Sequence, residues 1–444
     1  MNRWPDTYHM VELTEHQRER MKSALSGTVG ILTGCPGAGK TFCLAVLMRH
    51  LLAEVSPDDI IVCCPTGKAA VRATESMARA KLKVQATTVH RALGVRVSVD
   101  GFGFQHNADN PLACRYCIVD EASMLGTAMF HSLLEAIPDG CCLLLVGDHH
   151  QLPSVEPGAV LRDMIEAGVP HGDLEQIHRN SGKIVECCSS IRQGGPFVAS
   201  QLPSYFGGPT QNLRHVKCRS NDDAFAQIQT LYASMSSSTL DCTWDVQLIT
   251  PLNEGTPVAR REINKHLQQA LNPYGASLNS NYKFGDKVMC LKNKFYTNSS
   301  GEEEFVCNGQ IGVLSESLDK NTVLIVLRHA GWKNNEIAVQ VPVSDLHDAW
   351  DLSYAISIHK SQGSSWPVVI MVMDQSGRGR FMANRQLIYT GLSRAEYYCI
   401  VIGGMESISE ACKKDSMGHR VTGLARFIQE EANDTRKSRA QSGV

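Results

Sequence analysis

Short apolar runs separated by amphipathic stretches dominate the first third of the chain. They read GILTG from Gly30, IIVCCPT from Ile60, YCIVDEA from Tyr116 and CCLLLVGD from Cys141. Each is too brief for a helix and ends in Gly, Pro or an acid, so each predicts a buried strand. Helical segments such as Phe42 to Ala53 lie between them, and this alternation predicts an α/β fold with a parallel sheet. Residues 94–112 break the rhythm. There GVRVSVDGFGFQ alternates with period two around Asp100-Gly101, which predicts a β-hairpin set into the first domain. A Gly/Pro/Ser-rich stretch from Gly194 to Pro209 marks a linker, and a second series of strands follows it in WDVQLITP, PVVIMVMD and YCIVIGG. Between Phe284 and Leu346 the segments GDKVMCL, GQIGVL, NTVLIVLR and EIAVQVP predict a small β-barrel inserted into the second domain. The expected domains are 1–93 with 113–180, a hairpin at 94–112, 181–285 with 350–432, and a barrel at 286–349. The polar tail 433–444 reads as disordered.

Composition narrows this picture. A chain of 444 residues with 43% apolar content holds more than one core. Its 43 Lys+Arg against 45 Asp+Glu exclude a histone-like or polybasic coat, so any nucleic-acid contact is a local channel. The 16 Cys fall mostly inside apolar runs, as at Cys63, Cys64, Cys141 and Cys142. With no signal peptide in view, they read as reduced core thiols of a cytoplasmic protein. Cys114 and Cys117 form a C-x-x-C with no second half nearby, which argues against zinc. No apolar stretch approaches the ~20 residues that span a bilayer, so no membrane association is expected.

The chemistry begins at residues 34–41, GCPGAGKT, between a strand and a helix. Glycines at this spacing let successive backbone N–H groups wrap a phosphate at a helix N-terminus. Lys40 then reaches the terminal phosphates and Thr41 supplies a hydroxyl for Mg²⁺. The nucleotide-binding candidates are Gly34, Pro36, Gly37, Ala38, Gly39, Lys40, Thr41 and Phe42. A phosphate loop alone fits kinases, GTPases and ATPases. In VDEAS, Asp120 closes a strand where a carboxylate holds Mg²⁺ through water, and Glu121 can polarise an attacking water. The pair points to hydrolysis rather than transfer. Gly147-Asp148 ends another strand and leads to Gln151, whose neutral amide can sense the terminal phosphate.

In order along the chain, these segments resemble the superfamily 1B helicases of the RecD-like and Dda-like branch. The resemblance runs through LTEHQ, PTGKAA, TTVHRALG, VDEAS, GDHHQLPSVEPGAV and LEQIHR. It continues in LITPLNEG, FGDKVMCLKN, NGQIGVL, YAISIHKSQGSSWPVVI and LIYTGLSRAEYYCIVIG. It implies two RecA-like motor domains, 1A and 2A, that close on ATP, with the hairpin as insertion 1B and an SH3-like barrel as insertion 2B. By this resemblance Gln17 reads adenine, while Arg179 and Arg394 are guanidiniums that neutralise charge on the transferring phosphate. Gln362 and Gly363 match a cleft-facing motif. Thr66, Lys68, Thr88 and His90 match positions that hold single-strand backbone, as do His359, Lys360 and Ser361. His359 stays open between strand contact and core packing, and Trp366 reads as core. Phe102 and Phe104 are candidates for the tip of a duplex-splitting pin. His149 and His150 stand where the family varies and receive no role. Only sixteen residues precede Gln17, so the long N-terminal domain of many RecD relatives is expected to be absent, and no nuclease partner is inferred.

The resemblance therefore implies an ATP- and Mg²⁺-dependent DNA helicase moving 5′ to 3′ on single-stranded DNA, serving replication, recombination or repair. The expected partners are single strands, single/double-strand junctions and replication or recombination proteins, and a monomer is expected. The alternative is a strand-stimulated translocase that displaces proteins or remodels junctions with little unwinding. A kinase or switch would show no stimulation by oligonucleotide. No residue distinguishes RNA from DNA as the track.

Overall fold

The computed structural model describes residues 3–98, 101–176, 182–200, 210–235, 240–328, 336–417, 420 and 422–442. The chain divides into two compact units, Met1–Arg179 with Ser416–Val444, and Asn180–Asp415.

In the first unit the strands are β1 (Val29–Gly34), β2 (Ile60–Cys64), β3 (Thr87–Thr88), β4 (Val95–Ser98), β5 (Gly101–Phe104), β6 (Tyr116–Val119), β7 (Cys142–Gly147) and β8 (His171–Leu174). Six of them form a parallel sheet in the order β3-β2-β6-β7-β1-β8. The apolar runs account for its four central strands, buried on both faces as a parallel sheet requires. Parallel strands bring all their C-terminal ends to one edge, and the loops that carry chemistry leave from that edge. Helix α1 (Glu15–Ala24) lies flush against β1 and β8. A Cβ on Gly30 would stand 1.8 Å from the Ala24 carbonyl oxygen, and one on Gly172 would stand 2.0 Å from that of Arg20. This close approach sets Gln17 beside the phosphate loop. Three further helices are α2 (Lys40–Glu54), α3 (Gly67–Arg79) and α4 (Val89–Leu93). β4 and β5 form the expected antiparallel hairpin, pairing Val95 with Phe104 and Ser98 with Gly101.

The second unit contains a parallel sheet in the order β18-β10-β19-β20-β9, where β9 is Leu213–Lys217, β10 Val246–Thr250, β18 Ala355–Ser357, β19 Trp366–Val372 and β20 Ala395–Gly403. Between them lie β11 (Lys287–Cys290), β12 (Lys294–Asn298), β13 (Glu303–Val306), β14 (Ile311–Ser317), β15 (Thr322–Arg328), β16 (Glu336–Pro342) and β17 (Trp350–Leu352). They form one antiparallel sheet in the order β13-β12-β16-β15-β14-β11-β17. Its inner face centres on Trp350, whose indole N–H donates to Tyr296 Oη at 3.2 Å. Insertion 2B is thus a seven-stranded sheet with β13 and β17 at its two ends.

Two expectations about the C-terminus are corrected. The second unit ends at Asp415, and residues from Ser416 onward belong to the first. Leu424 and Ile428 pack there against a core that includes Val160, Leu161 and Met164. Of the tail that reads as disordered, residues 433–442 lie within a helix, Leu424–Ser442. Its Glu, Arg, Gln, Lys and Ala residues are strong helix formers, and Arg426 pairs with Glu430 one turn on at 3.6 Å.

Candidate nucleotide and nucleic-acid sites

β1 ends at Gly34, and the chain turns through Gly37 (φ 80°) and Gly39 (φ 93°) into α2. A Cβ on Gly39 would stand 2.6 Å from Gln17 Nε2, so glycine there answers both a left-handed backbone and a close neighbour. Lys40 is the first residue of α2, and its ammonium donates to the carbonyl oxygens of Gly34 (2.6 Å) and Cys35 (3.2 Å). The charge is therefore held inside the loop. Thr41 and Phe42 are exposed on the first turn of α2. Gln17 is buried and closes a capping box on α1, its Oε1 accepting from the Thr14 N–H at 3.1 Å.

Two strands away, β6 ends at Val119 and delivers Asp120 and Glu121. The Asp120 N–H donates to the Cys63 carbonyl on β2, and Asp120 Oδ1 accepts from the Glu121 N–H at 2.9 Å. Glu121 adopts φ 55°, the left-handed region that costs a side chain of this size. The distortion turns Glu121 out of the strand direction immediately after Asp120. Burial and the Glu121 charge push the Asp120 carboxyl up to about 6, opposed by the Glu121 N–H and the charges of Lys40 and Arg72. That balance ties the phosphate-loop lysine and a helix α3 arginine to the same carboxylate.

β7 lies between β6 and β1, and its end carries the third group. Asp148 is buried, with Oδ1 accepting from the His150 N–H (3.1 Å) and Oδ2 from Gln151 Nε2 (3.3 Å). The Gln151 amide is thereby held by its own turn. His149 Nδ1 shares a 2.9 Å hydrogen bond with the hydroxyl of Thr33, the residue before Gly34. This joins the Gln151 turn to the strand that enters the phosphate loop.

Along the same edge, Thr66 caps α3 by accepting from the Ala69 N–H (3.3 Å), and Thr88 caps α4 by accepting from the Arg91 N–H (3.2 Å). Each hydroxyl keeps its proton for a further acceptor. Lys68 lies in the first turn of α3. The His90 ring meets Phe104 edge-on with centroids 6.1 Å apart.

In the second unit, β18 runs into a single turn, His359–Ser361. Burial pushes the His359 imidazole pKa down, and burial with the Arg260 charge lowers that of Lys360. Ser361 is fully buried, and its hydroxyl donates to the Ile358 carbonyl at 2.6 Å. Gln362 is buried and Gly363 takes φ 69°. Arg394, just before β20, donates to the carbonyls of Thr390 (3.0 Å) and Ser364 (3.1 Å) and to the Ser393 hydroxyl (2.7 Å).

Residues 17–157 match the AAA domain family, and residues 352–402 match the UvrD-like helicase C-terminal domain. Over 391 residues the chain is 30% identical to the ATP-dependent RecD2 DNA helicase of Deinococcus radiodurans, covering 86% of this chain and 48% of that one. Over 443 residues it is 29% identical to the RecBCD enzyme subunit RecD of Mycolicibacterium smegmatis, covering 94% and 75%. The chain is similar over most of its length to RecD-like superfamily 1B helicases. The RecD-like chain thus spans about half the length of the Deinococcus relative. Its fold is similar to that of the Pif1 helicase from Candida albicans, with a TM-score of 0.51 at 17% identity, covering 95% of this chain and 99% of that one.

Within this RecD-like chain, Lys40, Asp120 and Gln151 stand at the ends of β1, β6 and β7, which are neighbours in the sheet as β6-β7-β1. Arg179 lies outside the described residues, as does the side chain of Phe102. The proposed pin tip needs correction. Phe104 pairs with Val95 at the base of the hairpin, three pairs away from Ser98–Gly101, and packs on the first unit's core. Ser361 shapes its own turn rather than facing a strand, and Trp366 is buried. Cys114 Sγ lies 3.7 Å from Cys141 Sγ. Sequence reasoning missed Arg72 and the bond between Thr33 and His149. Arg72 follows Lys68 by four residues, so it shares that face of α3, which was the available signal. Nothing local marks the Thr33 bond.

Proposed function

We propose that this chain is an ATP-driven motor that moves 5′ to 3′ along single-stranded DNA and unwinds duplex ahead of it. The observation that carries the reading is the convergence of Lys40, Asp120, Glu121 and Gln151 on one edge of the β6-β7-β1 strands. A cation, two acids and a neutral amide in that order suit hydrolysis of a nucleoside triphosphate. The Thr41 hydroxyl and Asp120 carboxylate are hard oxygen donors, the kind Mg²⁺ takes beside phosphate and water. When bound, the ion would neutralise charge on the phosphate oxygens. Lys40 would leave its loop carbonyls for the phosphate, Glu121 would orient the attacking water, and Gln151 would report the terminal phosphate to the β7 turn. Arg394 and Arg179 are proposed to complete the charge neutralisation, as the family resemblance suggests. Thr66, Lys68, Thr88, His90, His359 and Lys360 are proposed to grip the backbone of the strand, with hydroxyls and cations that do not read bases.

The test is ATP hydrolysis with and without single-stranded DNA, and strand displacement on duplexes with a 5′ or a 3′ tail. Stimulation by the strand and displacement from the 5′ tail alone are expected. Displacement from the 3′ tail alone overturns the polarity, and hydrolysis indifferent to any oligonucleotide overturns the motor. Stimulation without displacement on either substrate would assign the chain to translocases that strip proteins.

A further inference from the structure

The segment after Asp415 lies outside both family matches, and its residues meet the loop that carries Gln151. Helix Val160–Glu166 follows that loop, and its Arg162 reaches back to the C-terminal segment. Arg162 donates to the carbonyls of Met417 (2.5 Å) and Arg420 (2.8 Å) and pairs with Asp163 (2.7 Å). Arg420 in turn donates from Nη1 to the carbonyls of Glu156 (3.1 Å) and Gly158 (2.9 Å). The carbonyl between them, that of Pro157, accepts from the Thr127 N–H at 3.1 Å. Three successive carbonyls of this turn are thus bonded, two of them by a single guanidinium. The Thr422 hydroxyl donates to Asp163, and Gln429 Nε2 donates to the Glu166 carbonyl at 3.3 Å. Leu424 and Ile428 seat the helix beyond on the core.

The loop 148–158 is therefore held near both ends. Upstream, Asp148 and the bond between Thr33 and His149 fix it to the phosphate-loop strand. Downstream, the Glu156 and Gly158 carbonyls accept from Arg420.

We propose that Arg420 clamps the Gln151 loop from within the first unit, as a positioning residue that holds the hydrolytic geometry. The proposal rests on the reading of this loop as part of a DNA-stimulated ATPase. A rigidly held loop matters because a displacement of about 1 Å costs up to a hundredfold in rate. The guanidinium suits the task, since Nη1 carries one N–H for each carbonyl on a planar group whose orientation is fixed.

The experiment compares full-length Arg420→Ala, Arg420→Lys and Thr422→Val with the native chain, measuring ATP turnover and KM at saturating single-stranded DNA. Arg420→Ala is expected to lower DNA-stimulated kcat by about ten- to a hundredfold with KM for ATP within about twofold. Arg420→Lys should recover part of the loss. Thr422→Val, which breaks an anchor without touching the loop, should keep stimulated turnover near native. Unchanged kcat in Arg420→Ala overturns the clamp, as does an equal loss in Thr422→Val, which would mark the segment as a general support. Absence of DNA stimulation in the native chain would instead overturn the motor reading beneath it.

Discussion

Thr33 and His149 are 116 positions apart in sequence and share a 2.9 Å hydrogen bond that ties the strand entering the phosphate loop to the turn carrying Gln151. Thr33 is buried, so removing its partner leaves a hydroxyl with no solvent to replace the bond. An orphaned buried donor costs about 1–3 kcal/mol, whereas deleting both partners costs less. His149→Ala should therefore destabilise the first unit by that amount, and Thr33→Val combined with His149→Ala should recover part of it. Urea denaturation of the four members of the cycle measures the coupling. Strict additivity of the two single changes would show that the bond contributes nothing.

Lys40 and Glu121 separate binding from chemistry. Lys40→Ala removes the ammonium now held by the Gly34 and Cys35 carbonyls, and ATP turnover should fall by at least about a thousandfold while strand binding persists. Glu121→Gln preserves shape and removes the charge that orients water. It should bind nucleotide at near-native affinity and fail to hydrolyse it, seen as a long-lived complex in filter binding. Native-rate turnover in either variant would refute the assigned role.

Asp120 gives a prediction of opposite sign for stability. Its folded pKa is about 6 against an ordinary 3.8, chiefly through desolvation and the Glu121 charge. A raised carboxyl is penalised in its charged form, so the cost is fully present above about pH 6 and disappears as pH falls below about 4. The size is roughly 3 kcal/mol. In the absence of divalent ions, Asp120→Asn should raise the melting temperature at pH 8, and the gain should shrink toward pH 4. Turnover should be lost in the same variant. A lower melting temperature for Asp120→Asn at pH 8 would contradict the assigned burden.

The four central strands of the first sheet were legible because each is an apolar run ending in a chemical residue. The edge strands were not. β3 is only Thr87–Thr88 and β8 reads HGDL, since a strand at the margin needs no continuous apolar face. Period-two alternation locates the hairpin, whereas Phe104, a tip candidate by resemblance, is paired with Val95 at the base. The phosphate loop, Asp120, Glu121 and Gln151 were readable as strand-end chemistry. The clamp was not, because its bonds from Arg162 and Arg420 span more than 250 positions and leave no periodic trace. Composition alone reads the polar tail as disordered, yet its strong helix formers carry a helix through Ser442.

The base of the hairpin and its outer part should have different duties. Val95 and Phe104 are paired, and Phe104 meets His90 of α4 and the core of the first unit. The outer residues 96–103 extend beyond that base. Replacing them with Asn-Gly leaves a turn compatible with the Val95–Phe104 pair, because a two-residue loop of this type closes a hairpin unaided. If the outer hairpin splits the duplex, strand displacement should fall by at least about tenfold while DNA-stimulated ATP hydrolysis stays within about twofold, a split between work and fuel use that loop positioning permits. Phe104→Ala should instead weaken the edge contact with His90, where the strand grip is proposed, and lower stimulation itself. Displacement assays on a 5′-tailed duplex alongside phosphate release measure both. Retention of full unwinding by the shortened hairpin would mean that the duplex is opened elsewhere on the chain.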